Sequence, residues 1–336
     1  MLDKIISYSF YLLFFLTPLF WTSLNYELFE YNKMILTYGF TVIIVGCWFL
    51  KIINRKSLIF NRTPLDLPLL LFLASQILST IFSIDPHTSI WGYYSRSNGG
   101  LLSIISYLLL YFAFVSNIDK NKVLNTLKFG LASAFIISLW GIFEHFGVSP
   151  SCVILRGEFN ATCWVQDVQA RVFATLGQPN WMAAYLAMLI FPALYFFLTT
   201  PAKGWSTSGR YYILLVTLYL AFTFTYSRGP TLGLIGGLVI FLILSWHVAS
   251  THARHGYILA AFLVINLLFG SALTNFRLIS KFAPPPRPTI ALPPSSVTQL
   301  ENGGTESGQI RFIVWQGALD IFKHYPIFGS GLETFA

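Results

Sequence analysis

Residues 179–199 read PNWMAAYLAMLIFPALYFFLT, a run of 21 residues without a single charge. Wound as an α-helix at ~1.5 Å per residue it is about 31 Å long, which matches the ~30 Å hydrocarbon core of a bilayer. In water such a segment would have no polar face to present. In lipid it satisfies all its backbone groups internally, so it reads as a transmembrane helix.

The same pattern recurs in both directions along the chain. About nine spans follow, over residues 5–24, 34–52, 66–84, 100–116, 127–146, 179–199, 211–227, 231–247 and 257–274. The composition agrees: 55% of residues are hydrophobic and 17% aromatic, with 10% charged. The expected fold is therefore all-α, a polytopic transmembrane bundle over residues 1–274 followed by an extracytoplasmic loop over 275–336. Residues 5–24 lack a small-residue cleavage site, so they read as a retained first helix rather than a signal peptide.

Loop charge sets the orientation. With the N-terminus in the cytoplasm, Lys51, Arg55, Lys56, Arg62, Lys120, Lys122, Lys128, Lys203, Arg210 and Arg254 all fall inside. The net charge of +8 is thus spread over loops between spans, and nucleic acid is not an expected partner. Outside fall the long stretches 85–99, 147–178 and the tail from Asn275, and the arginines on that side are Arg96, Arg156, Arg171, Arg228, Arg277, Arg287 and Arg311. Carboxylates are nearly absent from the middle of the spans, which argues against an ion-coupled transporter.

The tail opens with Pro-rich residues 283–288 and continues in Ser, Thr, Asn and Gly to Gly308, the composition of a flexible spacer. A helix is expected from Gln309 to Lys323, lying on the membrane or bundle, with Gln309, Gln316, Asp320 and Lys323 along one face. The chain stops at Ala336 in mid-loop, which reads as a truncated sequence.

Four arginines are candidates for binding an anion. Arg228, in Tyr226-Ser-Arg-Gly-Pro230, sits at the tip of a hairpin between two short spans, with Gly229 expected to make the turn and Pro230 to open the next helix. An interfacial Arg reaching lipid headgroups is the alternative. Arg171 opens a Gly-, Pro- and Asn-shaped entry, residues 171–180, into the span at 179–199. A guanidinium fork beside a helix start offers donors to phosphate oxygens; an ordinary surface Arg beside a capping loop is the plainer reading. Arg311 lies about 200° around its helix from Gln309, on the stripe of Trp315 and Phe322, where it serves an anion or stacks on Trp315. Arg96, in residues 93–100, is the fourth.

General bases are sparse outside: His324, Glu333, Asp320, His87, and the pair Glu144 and His145 at a span end, none with a partner evident in sequence. Cys152 and Cys163 share an outer loop and read as a disulfide, whereas Cys47 lies within a span. No P-loop, dinucleotide, zinc or haem motif is present, so no cofactor and no metal are expected.

Three blocks together resemble the O-antigen ligase and polymerase superfamily: residues 171–180 running into a helix, residues 225–233 (TYSRGPTLG), and Arg311-Phe-Ile-Val-Trp315 followed by residues 325–335 (YPIFGSGLETF). The resemblance implies a GT-C-like bundle in the cell (inner) membrane and metal-independent glycan transfer in cell-envelope polysaccharide synthesis. The donor would be an undecaprenyl-diphosphate-linked glycan and the acceptor a hydroxyl on a glycan, lipid or protein. It also implies that Arg171 and Arg228 bind the diphosphate, with Arg311 assisting. In the similar ligases the base is a His of the large outer loop, beyond the last residue here; His324 precedes that position and is a weak candidate that does not safely replace it, so the resemblance implies that the catalytic His is missing from these 336 residues. Two other readings stay open: a transporter or flippase for a polyprenyl-linked or anionic solute, and a non-catalytic scaffold with its arginines dispersed.

Overall fold

The structure, a computed structural model, describes residues 1–336 except 26, 58, 165, 201–204, 246–251, 274–306 and 336, and the side chains of 205–207, 252–253 and 307–311 are likewise outside the description. Among the described residues the fold is all-α. The twelve helices are α1 (Leu2–Leu19), α2 (Glu30–Arg55), α3 (Asp66–Ile81), α4 (Pro86–Trp91), α5 (Leu101–Asn117), α6 (Lys120–His145), α7 (Pro150–Arg156), α8 (Pro179–Thr199), α9 (Trp205–Phe224), α10 (Arg228–Ser245), α11 (His252–Phe269) and α12 (Ser307–His324).

Each of the nine expected spans falls on a helix. Five of these, α1, α2, α6, α8 and α10, are long and apolar enough to cross a membrane; α3, α5 and α11 are shorter apolar helices, and α9 is in neither group. The chain is an integral membrane protein. The first helix stops at Leu19 rather than Leu24, because Pro18 lies in its last turn and the polar residues Thr22 and Ser23 follow.

Two compact units divide the chain, one comprising Met1–Leu58 with Phe114–Pro284, the other Ile59–Ala113 with Pro285–Ala336. In the first, α1 packs against α2 and α6, and α6 and α8 pack against α9. Ile137, Met182, Leu186, Ile190, Leu218 and Phe224 fill the core between them. Helix α6 starts cleanly because Asp119 accepts a hydrogen bond from the Lys122 amide at 3.0 Å. Helix α8 starts on Pro179, whose missing N–H costs nothing in a first turn.

Basic residues assigned to the cytoplasmic side close helix ends. Buried Lys51 pairs with Asp3 and donates to Asn117 Oδ1 at 2.9 Å. Arg254 Nη1 donates to the carbonyls of Phe197, Leu198 and Thr200 at 2.8–2.9 Å, satisfying acceptors that the C-terminus of α8 leaves open.

In the second unit the chain from Tyr325 to Phe335 docks on the turn between α3 and α4. Ile84 N donates to Ser330 O at 2.9 Å, Ser89 Oγ donates to Leu332 O at 3.0 Å, and the Phe82 and Phe328 rings stack at 4.5 Å. Gly331, with φ +118°, lies so close to the Ser83 and Ser89 side chains that a Cβ has no room. Helix α12 brackets the expected Gln309–Lys323, and its apolar side chains Trp315, Leu319 and Phe322 are exposed. Arg277 and the expected spacer up to residue 306, with Arg287, lie outside the described residues, while Ser307 and Gly308, expected in the spacer, already belong to α12.

Candidate functional site

The site grows from the end of α6. Glu144 is 0% exposed. A buried carboxyl needs donors, and it has them: Ala174 N at 2.8 Å and Phe173 N at 3.3 Å reach Oε2, and Ser149 Oγ donates to Oε1 at 3.1 Å. His145, the next residue, bonds Gln169 O through Nδ1 at 2.9 Å and lays its ring on Phe224 with centroids 3.8 Å apart. One helix end therefore holds both the loop that follows residue 168 and the last residue of α9. These two residues had no partner evident in sequence, yet a carboxyl at the end of an apolar helix had to be tied to donors somewhere.

The loop between α6 and the arginine is itself clipped. Cys152 of α7 and Cys163 form a disulfide with Cα atoms 5.5 Å apart, and Ser149 N donates to Asn160 O at 3.0 Å. Trp164 packs edge-on to Phe173 at 5.3 Å. Beyond Ala174 the chain makes a 3-10 turn to Leu176, and Thr175 Oγ1 donates to Pro18 O at 2.8 Å. Gly177, at φ +79°, passes Phe29 so closely that a Cβ would sit 2.7 Å from the ring.

Arg171 projects from this loop onto the turn between α9 and α10. Its Nε donates to Thr225 O at 3.1 Å, and one Nη donates to Ser227 Oγ at 3.2 Å and to Asn180 Oδ1 at 3.0 Å. The backbone adds Val172 N to Phe224 O at 3.3 Å. Residues some 55 positions apart in sequence thus meet, and Ser227 is the neighbour of Arg228. Partial burial lowers the Arg171 pKa from its ordinary value, but the side chain stays largely exposed and the guanidinium stays charged.

Arg228 opens α10 and is exposed; among the described residues it has no ion-pair partner. The turn before it differs from the expected one. Tyr226, not Gly229, takes the positive φ, +47°, while Gly229 is already helical. Such a conformation is costly for a non-glycine residue, by about 1–3 kcal/mol, and is held here by Tyr226 Oη donating to Phe269 O at 3.0 Å. Ala174 is a second positive-φ residue, at +49°, next to the Glu144 anchor. The hydroxyl of Ser227, the residue just before α10, is turned to Arg171.

Arg96, Arg311 and His324 belong to the second unit. Arg96 sits in the turn after Tyr93, with its amide donating to Tyr93 O at 2.9 Å. Arg311 lies in the first turns of α12, and its side chain is outside the described residues. His324 Nδ1 bonds Asp320 O at 2.8 Å, so Nδ1 carries the hydrogen and the exposed Nε2 is the basic nitrogen. Among the described residues no three His, Cys, Asp or Glu side chains converge as metal ligands would.

No curated protein and no solved structure matches the chain. Residues 213–336, from within α9 through Arg228, Arg311 and His324, match the family model described as O-antigen ligase.

Proposed function

We propose that the protein transfers a glycan from an undecaprenyl-diphosphate carrier to an acceptor hydroxyl on the extracytoplasmic face of the membrane. The observation that carries this reading is the Arg171 guanidinium bonded to Thr225 and Ser227, next in sequence to Arg228 at the start of α10. A guanidinium held against a helix start that also carries an arginine suits a diphosphate. In the reaction the acceptor oxygen bonds to the anomeric carbon, the carbon–oxygen bond to the diphosphate breaks, and the acceptor proton passes to a base. Charge grows on the leaving diphosphate, and fixed guanidinium donors stabilise that growth more than they stabilise the bound donor.

The reading brings with it nine spans with the N-terminus in the cytoplasm, and assistance from Arg311 and Arg96. His324 Nε2 has the chemistry of the base, although the family resemblance puts that role on a later histidine. The test is transfer by the purified protein from an undecaprenyl-diphosphate-linked glycan. Arg171→Ala and Arg228→Ala should each lower the rate by about 100-fold or more, the scale of losing one preorganised donor, and Arg171→Lys should recover little because the fork is lost. Wild-type rates in both Ala variants would sink the mechanism.

A further inference from the structure

A groove with two basic residues in its lining lies in the first unit, away from the Arg171 loop. Helices α6 and α9 enclose an open groove of about 500 Å³ whose walls are Leu131, Phe135 and Leu214 and whose charged lining residues are Lys128 and Arg210. Among the described residues no acidic side chain lines it. Lys128 is held at the wall: its Nζ stands 5.8 Å from the centre of the Phe196 ring, which stacks on Tyr211 at 5.4 Å.

Phe196 fixes the level of this groove. It lies in the last turn of α8, 17 residues beyond Pro179, so it is about 26 Å along the helix from the Arg171 loop at ~1.5 Å per residue. That distance nearly spans a hydrocarbon core of ~30 Å. The two cations therefore stand in the leaflet opposite the arginine loops, where the loop charges place the cytoplasm.

We infer that this groove binds one anionic phospholipid of the cytoplasmic leaflet. The phosphodiester sits between Lys128 and Arg210, and an acyl chain lies along Leu131, Phe135 and Leu214. A soluble anion would leave those apolar walls unfilled, and a zwitterionic lipid would bring its own cation to two others. Basic pockets between transmembrane helices on this side recognise acidic headgroups by that complementarity. The inference rests on the membrane placement and not on the transferase reading.

The test uses the full chain in nanodiscs of phosphatidylcholine with a minor fraction of phosphatidylglycerol, released for native mass spectrometry. Wild-type protein should retain one phosphatidylglycerol in preference to phosphatidylcholine. Lys128→Ala with Arg210→Ala should weaken that preference about 30-fold, about fivefold for each cation. Lys128→Arg with Arg210→Lys keeps both charges and should keep the lipid. Lys120→Ala with Lys56→Ala, basic residues outside the groove, should change nothing. Equal retention of the two lipids by wild-type protein overturns the inference, as does a loss caused by the Lys120 and Lys56 changes as large as that from the groove pair. If the groove double variant fails to fold, the charge-keeping pair and the outside pair still decide the matter.

Discussion

Replacing Glu144 should free the arginine loop, and the choice of replacement separates hydrogen bonding from packing. Leucine at this position fills similar space but accepts nothing, leaving the Phe173 and Ala174 amides and the Ser149 hydroxyl without their partner. Each buried orphan costs about 1–3 kcal/mol, so even the low end sums to about 3 kcal/mol. Glutamine can turn its carbonyl oxygen to both amides and its NH2 to Ser149 Oγ, losing one acceptor at about 1 kcal/mol. At ~1.4 kcal/mol per tenfold, Glu144→Leu should raise amide hydrogen exchange in the peptide over 172–176 by about 100-fold, and Glu144→Gln by less than about tenfold. Trypsin cleavage after Arg171 should follow the same order. If the leucine and glutamine proteins exchange alike, the carboxyl does not hold the loop and the anchor at the end of α6 is wrong.

Two further outcomes follow from loops outside the spans. Reducing the Cys152–Cys163 bond, or changing both to Ser, removes a cross-link of sequence separation 11, and about 2–3 kcal/mol of local stability should go with it. Proteolysis within 147–168 should then speed up while the helices stay protected, and an unchanged digest would show that the remaining contacts suffice. The Asp85 carboxyl is held below its usual range mainly by the Thr88 hydroxyl and then by the Thr88 amide. Its folded pKa is depressed, so the cap on α4 contributes fully above the ordinary carboxylate value of about 3.9 and is lost as pH falls through the lower folded value. Pepsin should cut near Tyr93 increasingly below about pH 4 in wild-type protein relative to Asp85→Asn, whose amide oxygen caps at every pH. Parallel pH curves for the two would contradict this.

The spans were legible because lipid imposes one rule on every one of them, and a run such as 179–199 obeys it without help from the rest of the chain. Helices α4 and α7 were not, since six or seven residues beginning Pro86 and Pro150 carry no periodic signal and depend on a cap or a neighbouring loop. Arg228 stood out as a cation where cations are costly, and Arg171 as a guanidinium beside a helix start. Their link through Ser227 and Thr225 is a contact between distant segments, which no local pattern encodes. Gly229 was expected to turn the chain because glycine does so most cheaply; Tyr226 does it because its hydroxyl is held by Phe269 O from another helix. Glu144 and His145 were visible as an isolated pair, and only the fold supplied what they hold.

The docking of the last residues on the α3–α4 turn has a consequence in time. Ser89 and Leu332 are 243 positions apart, so a growing chain contains Ser83, Ile84 and Ser89 long before their partners exist. Synthesis at ~5–20 residues per second leaves those groups to water for roughly 10–50 s. Closing so long a loop is slow and comes late, so the second unit is completed only after the apolar helices between its two halves have been made.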